Sequence, residues 1–213
     1  MSAPVPVLLG WPPGPRLRLD HERFAYAGKF VMSSTGKSVL LDSDPEDGDD
    51  TLGDCLPDEA DRERFAREAE DEAWSLDAAV VGAVAFSPDR TDSETLWVRY
   101  VTVRADRQGE GLGPRLLVSL RDRADARGYE RIRIGVNNAF SYEAAYRAGF
   151  GWTGEETGIA ELVCEWPAPD GRSTGRYRAG LDRFRTPDRD PSEAERSFLA
   201  AREGATPPAV TRQ

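Results

Sequence analysis

The chain has 213 residues, is 39% hydrophobic and carries a formal net charge of −10, which suits one packed domain with extensions. No apolar run approaches the roughly 18 residues that span a bilayer. The acidic balance without a basic stripe disfavours nucleic-acid binding. Lys29 and Lys37 are the only lysines, and a carboxylate-rich, lysine-poor surface reads as a halophilic, haloarchaeal-like composition.

Residues 1–15 are Pro-rich and expected to form an extended N-terminal extension. They lack the basic start and long apolar core of a secretory signal. Cys55 and Cys164 lack metal-ligand spacing and read as free thiols, so the expected location is the cytoplasm. Arg16 to Leu41 reads as strands, with Phe24, Tyr26, Phe30 and Val39–Leu41 as core candidates and His21 as a structural residue. Within it, Lys29–Met32 and Ser38–Leu41 read as a hairpin turned at Ser-Thr-Gly. Gly36-Lys37-Ser38 imitates the end of a Walker loop, but Val31 stands where its first glycine belongs. Asp42 to Asp54 imitates a calcium loop. Asp47 occupies the glycine position, Pro45 the fourth and Gly53 the twelfth, so a solvated loop is the better reading. A charged helix is expected from Pro57 to Ala73, a buried strand from Ala78 to Phe86, a turn over Ser87–Asp92 and a partner strand over Thr95–Val103.

The β-branched run Val101–Val103 ends in a polar stretch, then Gln108-Gly109-Glu110-Gly111-Leu112-Gly113-Pro114. A helix follows from about Gly113 to Arg127, with Leu116, Leu117, Leu120 and Ala124 on one face. Glycines at a strand-to-helix junction turn backbone N–H groups inward, and the helix N-terminus adds partial positive charge, which together suit a phosphate-bearing ligand. A dinucleotide fingerprint fails, because its last glycine would be Pro114. The pattern Q-x-x-G-x-G is met by Gln108, Gly111 and Gly113. A strand, Arg131–Asn137, follows with Ile132, Ile134 and Val136 on one side. Then come Asn138, a short helix with Tyr142 and Tyr146, and Gly149-Phe150.

Loop, helix, strand, asparagine, short helix and Gly-Phe in this order resemble the GCN5-related N-acetyltransferase (GNAT) family. The resemblance implies an α/β fold with a mixed, mostly antiparallel sheet flanked by helices. That sheet would be splayed where Val101–Val103 and Ile132–Val136 separate. It implies a domain over residues 16–167, with residues 168–213 as a C-terminal linker and short helix. Acetyl-CoA is the implied co-substrate and no metal is expected. The backbone of Val101, Thr102 and Val103 would hold the pantetheine arm. The segment Gln108, Gly109, Glu110, Gly111, Leu112, Gly113 and Pro114 would bind the pyrophosphate, and Asn138 would touch the pantetheine or the loop. Glu110 would repel that ligand, with Arg107 and Arg115 beside it to offset the charge.

The implied activity is acetyl transfer to a primary amine by direct attack in a ternary complex. The amine must lose a proton and the leaving thiolate must gain one. The position usually held by the family's acid tyrosine is Ala145, so Tyr146, one residue on, and Tyr142, three residues before Ala145, are the candidates. Glu94, at the head of the strand, is the candidate base, with Glu72 and Asp77 behind it. The alternative is a non-catalytic acyl-CoA-binding sensor that keeps the loop and has lost the acid. A different acyl donor and an unidentified amine acceptor stay open. A late strand is expected over Gly158–Trp166, a linker over Pro167–Pro191, and a helix over Ser192–Glu203 capped by Asp190 or Ser192. Two subunits could pair through the late strand or the C-terminal helix.

Overall fold

The computed structural model describes residues 3–42, 74–75 and 79–212. The expected calcium-like loop beyond Asp42, the helix over Pro57–Ala73, Cys55, Glu72, Asp77 and Ala78 lie outside the described residues. The fold is mixed α/β, with seven strands in a mostly antiparallel sheet flanked by helices. Two compact units divide the chain: residues 1–88 with 98–116, and residues 89–97 with 117–213. None of the described helices is long and apolar enough to cross a membrane.

In the first unit, β1 (Val5–Gly10) pairs antiparallel with β3 (Gly36–Leu41), and β3 pairs antiparallel with β5 (Val80–Pro88). The N-terminal segment is thus an edge strand. β2 (Leu17–Arg18) and β4 (Trp74–Ser75) make a separate short parallel pair. β5 and the strand β6 (Thr95–Val103) are neighbours. β3 is buried at every position and β5 through Phe86, as expected for apolar runs covered on both faces. Leu9, Leu17, Phe24, Phe30, Val39 and Val80 pack one core. Each such side chain contributes about 1.5–3 kcal/mol when fully buried.

Three expectations for this unit are corrected. Lys29–Met32 is not a strand, because Ala27–Lys29 forms a 3₁₀ turn. Tyr26 caps that turn at φ 61° and is 53% exposed instead of being part of the core. Lys37 explains the tight loop that follows: its buried ammonium donates to the Met32 and Thr35 carbonyls and to Thr35 Oγ1 at 2.6–3.0 Å. Those bonds fold residues 32–35 back on the start of β3, and they leave no donor for a phosphate. His21 is exposed in a turn, not structural.

Helix α1 (Leu112–Ala126) follows the glycine loop, starting one residue before the expected position, and its face Leu116, Leu117, Leu120 and Ala124 is buried as expected. In the second unit, β7 (Arg131–Val136) buries Ile132, Ile134 and Val136. It pairs antiparallel with β9 (Leu162–Trp166), and β9 pairs with β8 (Gly151–Glu156). The late strand thus begins at Leu162 and not at Gly158. Residues 157–161 are a turn closed by Thr157 N–H donating to the Glu161 carbonyl at 2.8 Å. Cys164 is a buried free thiol on β9.

Helix α2 (Ala139–Arg147) packs against α3 (Thr174–Phe184). α3 lies inside the stretch expected to be a linker. Tyr177, Leu181 and Phe184 recur at i, i+4 and i+7 and are buried, a stripe obscured by the five arginines Arg172, Arg176, Arg178, Arg183 and Arg185. Helix α4 (Glu193–Ala200) opens with Ser192, which exchanges cap bonds with Glu195.

Candidate functional site

The loop that joins β6 to α1 takes its shape from its backbone. Gly109 and Gly111 have φ of +87° and +78°, where an L side chain is strained, and a Cβ at either would meet no atom of the described residues within 4 Å. The glycines are therefore required by backbone shape and not by crowding. The first-turn N–H groups of α1 have no acceptor within the helix, and Pro114 gives up none by lacking one. Gln108, Gly109 and Glu110 are exposed, while Leu112 and Pro114 are buried and anchor the turn.

Side-chain charge around the loop is divided. Arg107 donates through Nε to both Glu110 carboxylate oxygens at 2.9 Å and through Nη1 to Asp42 at 2.5 Å. One guanidinium thus serves two carboxylates. Arg115 donates to the Pro4 carbonyl at 2.9 Å and, among the described residues, pairs with no acid. It places a positive charge in the first turn of α1. On β6, Thr102 is buried, with its Oγ1 lacking a hydrogen-bond partner among the described residues, and Val101 and Val103 are half-buried.

The tyrosines stand in a closed cluster in the second unit. Tyr142 and Tyr146 are both fully buried, with ring centroids 4.8 Å apart. Tyr142 Oη donates to the Tyr177 carbonyl at 3.1 Å. The Tyr142 ring lies where a Cβ at Gly180 would go. Tyr146 Oη accepts the Trp152 N–H at 3.1 Å, and the Arg172 guanidinium lies 5.8 Å over its ring. Burial pushes both phenols above their usual range. Tyr177, which sequence reasoning missed, donates to Glu143 at 2.5 Å, and Glu143 also accepts from Arg202 at 3.2 Å.

Asn138 caps α2, its Oδ1 accepting the Ser141 N–H at 2.8 Å while its Nδ2 donates to Asn137. Glu94 accepts from Arg131 at 3.2 Å in a surface group with Asp92 and Glu130. Asp89 accepts from the Thr91 N–H and hydroxyl and from the Trp97 indole, and these bonds pull it down to about 2. An open cavity of about 600 Å³ lined by Val118, Arg121 and the C-terminal residues 209–212 contains none of the candidate residues.

The model of the acetyltransferase (GNAT) family matches residues 39–150, which is more than half of the 213 residues. The chain belongs to this acetyltransferase family. No curated protein matches it. Among solved structures, it is similar to a Desulfovibrio desulfuricans protein assigned to the GNAT family, at 13% identity and a TM-score of 0.42, covering 62% of this chain and 68% of that one. It is similar to an N-acetyltransferase from Staphylococcus aureus Mu50 at 17% identity and a TM-score of 0.40, covering 62% and 66%. A Salmonella typhimurium protein assigned as an acetyltransferase, solved with its cofactor acetyl-CoA, shares 24% identity at a TM-score of 0.37, covering 41% and 57%. At these scores the likenesses carry no chemistry across, and membership rests on the family match.

Proposed function

We propose that this protein transfers an acetyl group from acetyl-CoA to a primary amine by direct attack in a ternary complex. The observation that carries the reading is the loop Gln108–Pro114, with Gly109 and Gly111 at positive φ running into α1, inside the residues that match the family. In this proposal the loop N–H groups and Arg115 hold the pyrophosphate, and the Arg107 pair screens Glu110 from it. The backbone of Val101–Val103 holds the pantetheine arm and gives the N–H that stabilises the tetrahedral oxyanion. Asn138 fixes the start of α2 and keeps one amide hydrogen for the ligand.

Tyr146 is the proposed acid for the leaving thiolate. Its oxygen accepts the Trp152 N–H, which leaves its own proton to give, and the nearby guanidinium favours the phenolate that results. Tyr142 is assigned to packing, because its proton is held by the Tyr177 carbonyl. The base is assigned to no residue, since the ion pair with Arg131 accounts for Glu94. The acid-rich, lysine-poor composition supports a protein that works in high salt.

A sensor that binds acyl-CoA without turnover is the second reading. Ala145 at the family's acid position and the full burial of both tyrosines favour it. Calorimetric titration of acetyl-CoA into the wild type and Gly111→Glu, at high and low salt, tests the site. Binding that the substitution abolishes supports it, and absence of binding at every salt concentration overturns it. Thioester cleavage with a panel of amines then separates enzyme from sensor.

A further inference from the structure

We propose that the chain acetylates itself on Lys29, a reading that rests on the acetyl-CoA proposal above. Only two lysines exist in this chain, and they stand in opposite circumstances. The Lys37 ammonium is buried and spends its hydrogens on the Met32 and Thr35 oxygens, so it cannot reach a thioester. Lys29 is exposed. In a chain with 38 acidic residues, no carboxylate among the described residues pairs with it. Its Nζ instead lies 5.9 Å from the centroid of the Tyr100 ring.

Position gives this amine its meaning. Tyr100 immediately precedes Val101–Val103, the stretch proposed to hold the pantetheine arm and the thioester. The turn that carries Lys29 is fixed to the same place at several points. Ala27 and Phe30 are buried anchors on either side of it. Tyr26, at φ 61°, accepts the Lys29 N–H at 2.8 Å and packs its ring 6.0 Å from that of Tyr100. Just upstream, the Arg23 carbonyl accepts the Ala105 N–H at 2.9 Å, which ties this segment to the start of the glycine loop. Left-handed strain at a tyrosine is costly unless the surroundings enforce it, and such strain concentrates at functional sites. An exposed cation–π contact is weak enough to release the amine.

The chemistry balances with acetyl-CoA as the sole co-reactant. The deprotonated ε-amine attacks the thioester carbonyl carbon and forms an N–C bond. The C–S bond breaks, its electron pair leaves on the CoA sulfur, and the proton lost from nitrogen ends on the thiolate or in water. The product is N-acetyl-Lys29 and free CoA.

Mass spectrometry of the intact chain and its peptides after incubation with acetyl-CoA tests this. One acetyl group per chain is expected, on Lys29. Labelling should vanish in Lys29→Arg and be suppressed in the wild type by excess CoA, and its rate constant should not change with chain concentration. Labelling that excess CoA leaves untouched, or that spreads to other positions, is unguided chemical acetylation and overturns the inference. A chain that binds acetyl-CoA by calorimetry yet stays unlabelled overturns self-acetylation and leaves the proposed function standing. A chain that does not bind acetyl-CoA overturns both.

Discussion

The glycine loop of residues 108–114 and the tyrosine cluster of α2 and α3 use space in opposite ways. At Gly111 the absent side chain leaves open room, and the residue is fixed by a positive φ. At Gly180 the absent side chain is the room itself, already filled by the Tyr142 ring. The loop is shaped by backbone torsion and leaves space beside its glycines. The cluster is shaped by exclusion, with the rings of Tyr142, Tyr146, Tyr177 and Phe184 packed against one another. A functional role is thus easy to see at the loop and hard to see at the cluster, even though the proposed proton donor belongs to the cluster.

Tyr146→Phe breaks this contrast most directly. As the general acid, Tyr146 contributes roughly 100-fold or more to turnover. The variant should lose that much kcat in a steady-state assay while its acetyl-CoA titration is unchanged. Unchanged turnover would make Tyr146 a packing residue and place the entire site at the loop.

Gly180→Ala and Gly111→Ala compare the two kinds of glycine. Helix propensity alone favours alanine at position 180 by about 1 kcal/mol. Overpacking against Tyr142 should reverse that and cost about 2–3 kcal/mol in urea unfolding. At position 111 the cost is backbone strain alone, about 1 kcal/mol. Equal costs at the two sites would remove the distinction between exclusion and torsion.

Lys37 adds a closed polar site to compare with both. Burial pushes it down to about 8 from the usual 10.5, so the unfolded chain holds this proton to higher pH than the folded one. The cost of burying the cation is fully present below about pH 8 and is relieved as pH rises toward 10.5. For this group alone, unfolding free energy should therefore climb by about 3 kcal/mol across that window. Chemical denaturation at several pH values should show this rise as the difference between the wild type and Lys37→Met, because the buried Cys164 thiol and the buried phenols, held protonated by burial, titrate alike in both.

Arg115→Gln sharpens the loop side with the smallest effect. Loss of one charge-assisted contact to the pyrophosphate should weaken acetyl-CoA about tenfold. The salt dependence of binding should shrink with it.

Local sequence determined the loop, because its demands are local. Positive φ needs glycine, a helix start tolerates proline, and Gln108, Gly111 and Gly113 fall at fixed spacing. The alternating β7 and the apolar face of α1 were legible for the same reason, since each is a period along one element. The cap of α4 by Ser192 follows the same local rule. Only tertiary structure decided the rest. The expected hairpin arm Lys29–Met32 did not form, and Lys37, several residues on, draws the Met32 and Thr35 carbonyls to its ammonium. Helix α3 hid behind its arginines because its apolar stripe gains meaning only against α2. Tyr142 and Tyr146 sit one turn apart in sequence, yet their hydroxyls find different partners, a carbonyl from α3 for one and an N–H from β8 for the other. Hydrogen-bond partners far along the chain leave no period and no motif, so the sequence could name both tyrosines but could not choose between them.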